Sequence, residues 1–230
     1  MAEQLTFDLH RALPPTFDNF VVGPNVQPVA ALKRVAAHEI RETGLVIWGA
    51  HGAGKSHLLQ AAVAQARDCG REALYIDKGS RINESAGGQA SLIAIDDVDE
   101  ADAAVQGRLF TLYNALAAAG GQLIAAASVP PARMTLREDV RTRLGWGLVM
   151  EVLPLTDAEK PAALASFAQS RGLYLPIDVI DYLLAHGRRD MATLVRSLTL
   201  LDRYSLARSR PLTVPLVREW LERSNDAVKK

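Results

Sequence analysis

Gly49-Ala-His-Gly-Ala-Gly54-Lys55-Ser56 fits the pattern G-x-x-x-x-G-K-[ST] at every defined position, and its surroundings give the pattern mechanical sense. Leu45-Val-Ile-Trp48, just upstream, is a short apolar run that reads as a buried strand. Downstream, His57-Leu-Leu-Gln-Ala-Ala-Val-Ala-Gln-Ala66 carries helical periodicity. A glycine-rich loop between strand and helix turns successive backbone N–H groups inward, and the helix adds its positive end at the same point. The loop therefore reads as a phosphate cradle built from Gly49, Gly52, Ala53, Gly54 and His57. Lys55 reaches the β- and γ-phosphates, and the Ser56 hydroxyl takes one position on Mg²⁺. The expected ligand is a nucleotide, ADP or ATP, with Mg²⁺.

A second motif lies about forty residues on, where Leu92-Ile-Ala-Ile95 delivers Asp96 and Asp97 at the carboxyl end of an apolar strand. Alone, Asp96, Asp97, Asp99, Glu100 and Asp102 read as a solvated acidic turn. Behind a phosphate loop, Asp96 reads as a Mg²⁺ ligand, and Asp97 as a group that orients or deprotonates an attacking water.

Other runs extend the alternation of strand and helix. Residues 73–76, 123–127 and 148–152 read as further strands, and residues 103–119 as an amphipathic helix with Leu109, Leu112, Tyr113 and Leu116 on one face, ended by Gly120-Gly121. Residues 24–42 are helix-prone, with Ala30, Leu32, Val35, Ala36 and Ile40 on one side. Such alternation predicts an α/β domain whose mostly parallel sheet is flanked by helices. After Pro154 only helices are predicted, over 157–170, 177–185, 191–209 and 214–222, with Thr156 as N-cap and Glu159 closing a capping box. The expected organisation is an extended tail over 1–15, an α/β domain over 16–155 and a small all-helical domain over 156–230. Residues 79–90, rich in Ser and Gly, read as a loop.

With 49% hydrophobic residues, a chain of 230 can bury one substantial core and a small second one. The formal net charge of +0 supplies no field to draw nucleic acid or an anionic membrane, which argues against a plain DNA-binding module. Cys69 is the only cysteine, which excludes an internal disulfide and a cysteine-based zinc cluster. No apolar stretch approaches the length of a membrane span, and no secretion signal opens the chain. These features lead to the expectation of a soluble cytoplasmic protein without a membrane partner.

Phosphate loop, Asp-Asp strand and helical carboxyl region together resemble an AAA+ module with its lid, and the closer similarity is to the DnaA initiator family. Thr16-Phe-Asp-Asn-Phe-Val-Val-Gly23 resembles the family's lead-in segment beside the adenine, which implies Val22 and Gly23 as nucleotide contacts. Arg143-Leu-Gly-Trp-Gly-Leu148 resembles its stretch after the second phosphate motif, and Leu175-Pro176-Ile-Asp-Val179 and Leu201-Asp202-Arg203 resemble parts of the lid of its short regulatory members. The resemblance spans roughly residues 16–222. DnaA carries a further DNA-reading domain, whereas this sequence runs to Lys230 just beyond the lid-like part, so a member without that reader is expected. Short regulatory members carry a clamp-binding peptide, and Gln4-Leu5-Thr6-Phe7-Asp8-Leu9 looks like one: Gln4 for a polar subsite, with Leu5, Phe7 and Leu9 as anchors in the groove of the DNA polymerase sliding clamp.

The resemblance also implies roles for arginines. Arg143 aligns with the family's arginine finger, a planar cation that completes a neighbour's active site, with Arg141 as the alternative two residues earlier. Arg189 resembles the second sensor, directed at the chain's own phosphates. Two departures stand out: the loop over 80–91 is short for this class, and Ser128 offers a weaker polar group than many AAA+ sensors. The implied function is regulation of replication initiation, in which the chain binds the clamp on DNA and stimulates hydrolysis of DnaA-bound ATP. DnaA and the clamp are the implied partners, with DNA reached through the clamp and self-association a further candidate. The chain's own nucleotide would then serve as a conformational lock. A competing class is a self-sufficient ATPase of the helicase-loader kind, dependent on Asp97.

Overall fold

A computed structural model describes residues 14–77, 91–187 and 191–228. The apolar runs form five strands, β1 (Gly44–Trp48), β2 (Ala73–Ile76), β3 (Leu92–Ile95), β4 (Gln122–Ala127) and β5 (Leu148–Glu151), in the spatial order β2-β3-β4-β1-β5. Every pair is parallel. Parallel neighbours require crossovers that return the chain to the same edge. Helix α1 (Val26–Ala36) leads into β1, α2 (Lys55–Asp68) follows it, and α3 (Ala103–Ala119) and α4 (Glu138–Gly145) lie on either side of β4 in the chain.

Successive strand residues serve opposite faces, so each strand feeds two cores. Leu45, Ile47, Leu92, Ala94, Ile124 and Ala126 join Leu32 of α1 and Leu59 of α2. Val46, Ile93, Ile95, Leu123, Ala125 and Ala127 join Leu109 and Leu116 of α3 and Val140 and Leu144 of α4. Coverage on both faces explains why these strands read as unbroken apolar runs. Truncating a side chain such as Leu59 or Ile47, both wholly buried, to Ala costs about 2–5 kcal/mol.

At the amino edge of the sheet, Gln122 Nε2 donates to the carbonyls of Ile40 and Glu42, and its Oε1 accepts from Arg71. Arg71 also donates to Val35, Ala36 and Ser91 carbonyls, and burial pulls its pKa down. This network fixes the far end of the layers and leaves the carboxyl edge for the site.

Among the described residues four helices make the second unit, which begins at residue 157 where the first, residues 15–156, ends. They are α5 (Lys160–Ser170), α6 (Ile177–His186), α7 (Met191–Ala207) and α8 (Val214–Val228), packed around Leu164, Leu183, Leu198 and Leu216. Among the described residues no helix is long and apolar enough to cross a membrane.

Several helices differ from expectation. Helix α1 stops at Ala36 rather than near residue 42, because His38 takes φ +59° and the Glu39 N–H turns back to the Arg34 carbonyl; Ile40 still reaches the core. Helix α5 starts at Lys160, not beside Thr156. Pro161 has no N–H to donate and fits only a first turn, and Asp157 engages the Lys160 ammonium at 2.6 Å. Residues 138–145, to which the sequence assigned no element, form a helix with Glu138 and Asp139 in its first turn and buried Val140 and Leu144 one turn apart. The expected loop over 79–90 falls outside the described residues.

Candidate functional site

The phosphate loop leaves the carboxyl end of β1. Gly49 donates to the carbonyl of Ala127 at 3.2 Å, and a Cβ on it would stand 2.1 Å from the Val152 carbonyl oxygen, so only glycine lets the loop pass. Gly52 lies at the turn and Ala53 is buried in the first core, its N–H donating to Ala50. Gly54 is the N-cap of α2 at φ +95°, and it brings no side chain to the helix end. The opening N–H groups of a helix, here those of Lys55, Ser56 and His57, have no intrahelical acceptor. They and the helix dipole remain available to an anion.

Lys55 is 8% exposed, and its Nζ donates to the carbonyls of Gly49 at 2.8 Å and Ala50 at 3.0 Å. Among the described residues no carboxylate forms an ion pair with it, so a buried cation is held by neutral oxygens only. A buried charge without a counterion is costly, and a bound phosphate supplies one. The loop thus fits a nucleotide's phosphates.

The segment over 16–23 packs onto this loop. Phe20 lies against Gly54, where an added Cβ would meet its Cε2 at 2.8 Å, and its ring tilts against His57 with centroids 5.4 Å apart. His57 Nε2 lies 2.9 Å from the Thr16 carbonyl, which can only accept, so Nε2 carries the proton. Burial holds the His57 pKa below its ordinary value, and the Thr16 carbonyl offsets this in part. Val22 packs against the first core and its carbonyl accepts from Asn25 N–H at 2.8 Å, while Gly23 turns the chain at φ +47°. Asn25, 1% exposed, exchanges two hydrogen bonds with the backbone of Leu153, at 2.9 and 2.8 Å. That tie fixes the lead-in segment to the chain beyond β5.

On the other side of β4, Asp96 follows β3 at the same sheet edge and is 6% exposed. Its Oδ2 accepts from Tyr75 Oη at 2.9 Å and its Oδ1 from the Asp97 N–H at 3.1 Å. Tyr75 is pushed well above its ordinary pKa, first by burial and then by this carboxylate. The oriented Asp96 keeps lone pairs for a cation. Ser56 stands exposed in the first turn of α2. Among the described residues no three His, Cys, Asp or Glu gather, and Mg²⁺ bound through nucleotide phosphates needs only such a sparse protein set. Asp97 is half-buried and takes the left-handed conformation, φ +47° and ψ +44°.

Arg143 is half-buried in the last turn of α4. Its Nε donates to Asn114 Oδ1 at 3.1 Å, and its guanidinium carbon stands 4.2 Å from the centre of Trp146 and 5.2 Å from that of Phe110. Trp146 is 65% exposed. Phe110 and Asn114 are one turn apart on α3, and a Cβ on Gly147 would lie 1.8 Å from the Gly44 carbonyl oxygen, which pins the end of α4 against β1. Among the described residues no carboxylate forms an ion pair with Arg143, whereas Arg137 pairs with Asp139 at 2.7 Å. The Nε contact leaves the two terminal nitrogens for a partner.

The structure gathers Gly49, Gly52, Ala53, Gly54, Lys55, Ser56 and His57 in one loop and helix start, packs the segment that carries Val22 and Gly23 onto them through Thr16 and Phe20, and sets Asp96 and Asp97 at the same sheet edge. Gln4, Leu5, Phe7, Leu9 and Arg189 lie outside the described residues. Asn25, Tyr75, Asn114 and Phe110 were not foreseen; each acts through a partner remote in sequence.

The family model for the bacterial DnaA ATPase domain matches residues 13–85 and 72–151, and that for the Hda lid domain matches residues 157–221. Domain III of the replication initiation protein DnaA from Thermotoga maritima is similar with a TM-score of 0.81 at 23% identity, over 91% of this chain and 96% of that one. AMPPCP-bound DnaA from Aquifex aeolicus has a TM-score of 0.68 at 23% identity over 83% of this chain, which spans 65% of that protein. The Thermotoga maritima RuvB Holliday junction branch migration motor has a TM-score of 0.66 at 14% identity, over 91% of this chain and 72% of that one. At such identities the three structures speak for the fold.

Proposed function

The chain belongs to the DnaA-type AAA+ family, and from that premise we propose that it is a nucleotide-loaded regulator of replication initiation that stimulates hydrolysis of DnaA-bound ATP. Arg143 acts in trans: its guanidinium enters the nucleotide site of DnaA and meets charge developing on the γ-phosphate. The observation that carries this reading is the mounting of Arg143, held by Nε on Asn114 and stacked on the exposed Trp146, with no carboxylate among the described residues to neutralise it.

The chain's own site holds ADP or ATP with Mg²⁺. Loop N–H groups and Lys55 bind the phosphates, Ser56 and Asp96 hold the cation, and Val22, Gly23 and Arg189 contact the nucleotide. Bound nucleotide supplies a counterion for Lys55 and fixes the segment over 16–23, so it serves as a conformational lock. Asp97 has no duty in the trans reaction. Gln4, Leu5, Phe7 and Leu9 bind the DNA polymerase sliding clamp, which concentrates the regulator where clamps sit on DNA and makes contact with DNA indirect. Both partners are cytoplasmic, and so is the regulator.

The test is reconstitution with ATP-loaded DnaA, clamp loaded on DNA and the full chain. Hydrolysis on DnaA should rise only when chain and clamp are both present, and removal of residues 1–10 should abolish both clamp capture and stimulation. Hydrolysis of free ATP by the chain alone at a comparable rate, dependent on Asp97, would instead identify a self-sufficient ATPase.

A further inference from the structure

Asp99 in the acidic turn after β3 has no duty in the reading above, yet its carboxylate is aimed with care. Asp97 reverses the chain with its left-handed backbone, and the 3-10 turn Val98–Glu100 that follows is anchored by Val98, 2% exposed. The Glu100 N–H closes the turn on the Asp97 carbonyl at 3.0 Å. Asp99 is thereby brought to the end of β4. There its Oδ2 accepts from the Ser128 backbone N–H at 2.9 Å and also from the Ser128 hydroxyl. Ser128 follows Ala127, whose carbonyl accepts from Gly49 at the start of the phosphate loop. Ser128 and Asp99 thus stand at the sheet edge between the loop and Asp96.

Serine offers one hydroxyl proton and one backbone N–H. Here both are directed to a single carboxylate oxygen, so neither is turned to a phosphate, and Asp99 adds a negative charge. A terminal phosphate gains from donors and cations and loses from a carboxylate nearby. We propose that Asp99 is a specificity-determining residue of the nucleotide site: by taking both donors of Ser128 it disfavours a γ-phosphate and biases the site toward a nucleoside diphosphate. The proposal rests on the nucleotide-binding reading given above. It assigns the weak sensor position a purpose, since a site that rejects the γ-phosphate stays in one liganded state while the partner's nucleotide turns over.

Calorimetric titration of the full chain with ADP and with AMPPCP, both in excess Mg²⁺, tests it. Asp99→Asn keeps the size and an oxygen that accepts from Ser128 but removes the charge, and Asp99→Ala also releases both donors. Wild type should bind ADP about tenfold more tightly than AMPPCP, and each variant should gain about tenfold in AMPPCP affinity. ADP affinity should stay within about twofold in both, which also reports that the variants fold. Equal affinities in wild type, or an ADP-to-AMPPCP ratio unchanged in both variants, would overturn the assignment of Asp99. Binding of neither nucleotide by wild type would overturn the nucleotide reading itself, and the proposal with it.

Discussion

Arg143 donates its Nε–H to Asn114 Oδ1 at 3.1 Å while its guanidinium lies 4.2 Å from the centre of the Trp146 ring, so helix α3 and an exposed aromatic residue together fix the direction of the cation. A hydrogen bond to a charged group contributes about 1.5–3 kcal/mol, and an exposed cation–π contact about 0.5–1 kcal/mol. Asn114→Ala should therefore lower stimulated hydrolysis on DnaA roughly tenfold, and Trp146→Ala roughly threefold. Neither should change the chain's affinity for its own nucleotide, and titration of stimulation against chain concentration, beside calorimetry, checks both statements.

Gly54→Ala meets two obstacles at once. The backbone at φ +95° resists any side chain, and the new methyl would stand 2.8 Å from Phe20 Cε2. Backbone strain of this kind costs about 1–3 kcal/mol, and Phe20 must leave His57 to make room. Thermal unfolding should show a lower Tm, and ADP binding should weaken by more than the loss of stability explains.

His57 makes stability depend on acidity. Its folded-state pKa lies below the ordinary value of about 6.5, chiefly because burial disfavours the imidazolium, so acid protonates the unfolded chain first. The stability due to neutral His57 is complete above about pH 6.5 and is lost as pH falls through the lowered folded value. His57→Gln retains a donor for the Thr16 carbonyl without titrating. Between pH 7.5 and 5.5 the Tm of wild type should fall more than that of the variant.

Asn25→Ala removes two hydrogen bonds to the Leu153 backbone and leaves that N–H and carbonyl without their partner. The expected loss is roughly 2–4 kcal/mol, read as a lower urea midpoint with an unchanged m-value.

Where pattern and physics coincide locally, the fold was open to reading. Strands β1, β3 and β4 are apolar on both faces because α1 and α2 cover one side and α3 and α4 the other, and the loop after β1 declares itself by glycines whose places nothing larger can fill. Helix α4 was less legible: it is mostly charged, and only Val140 and Leu144 with the acidic first turn mark it. The supports of the site were hidden for another reason. Asn25 meets Leu153 across 128 residues, Tyr75 meets Asp96 across 21 and Asn114 meets Arg143 across 29, so each pairing exists only after the layers have packed. No spacing rule connects residues brought together by a sheet and its crossovers.

The account turns on Arg143 working in another molecule. Single-turnover hydrolysis of ATP preloaded on DnaA, with clamp on DNA and either wild-type chain or Arg143→Ala, measures that directly. The account predicts that the variant binds ADP and clamp normally yet leaves hydrolysis near the rate of DnaA alone, a loss on the order of 10³ if the finger has its usual strength. Full stimulation by Arg143→Ala would contradict it.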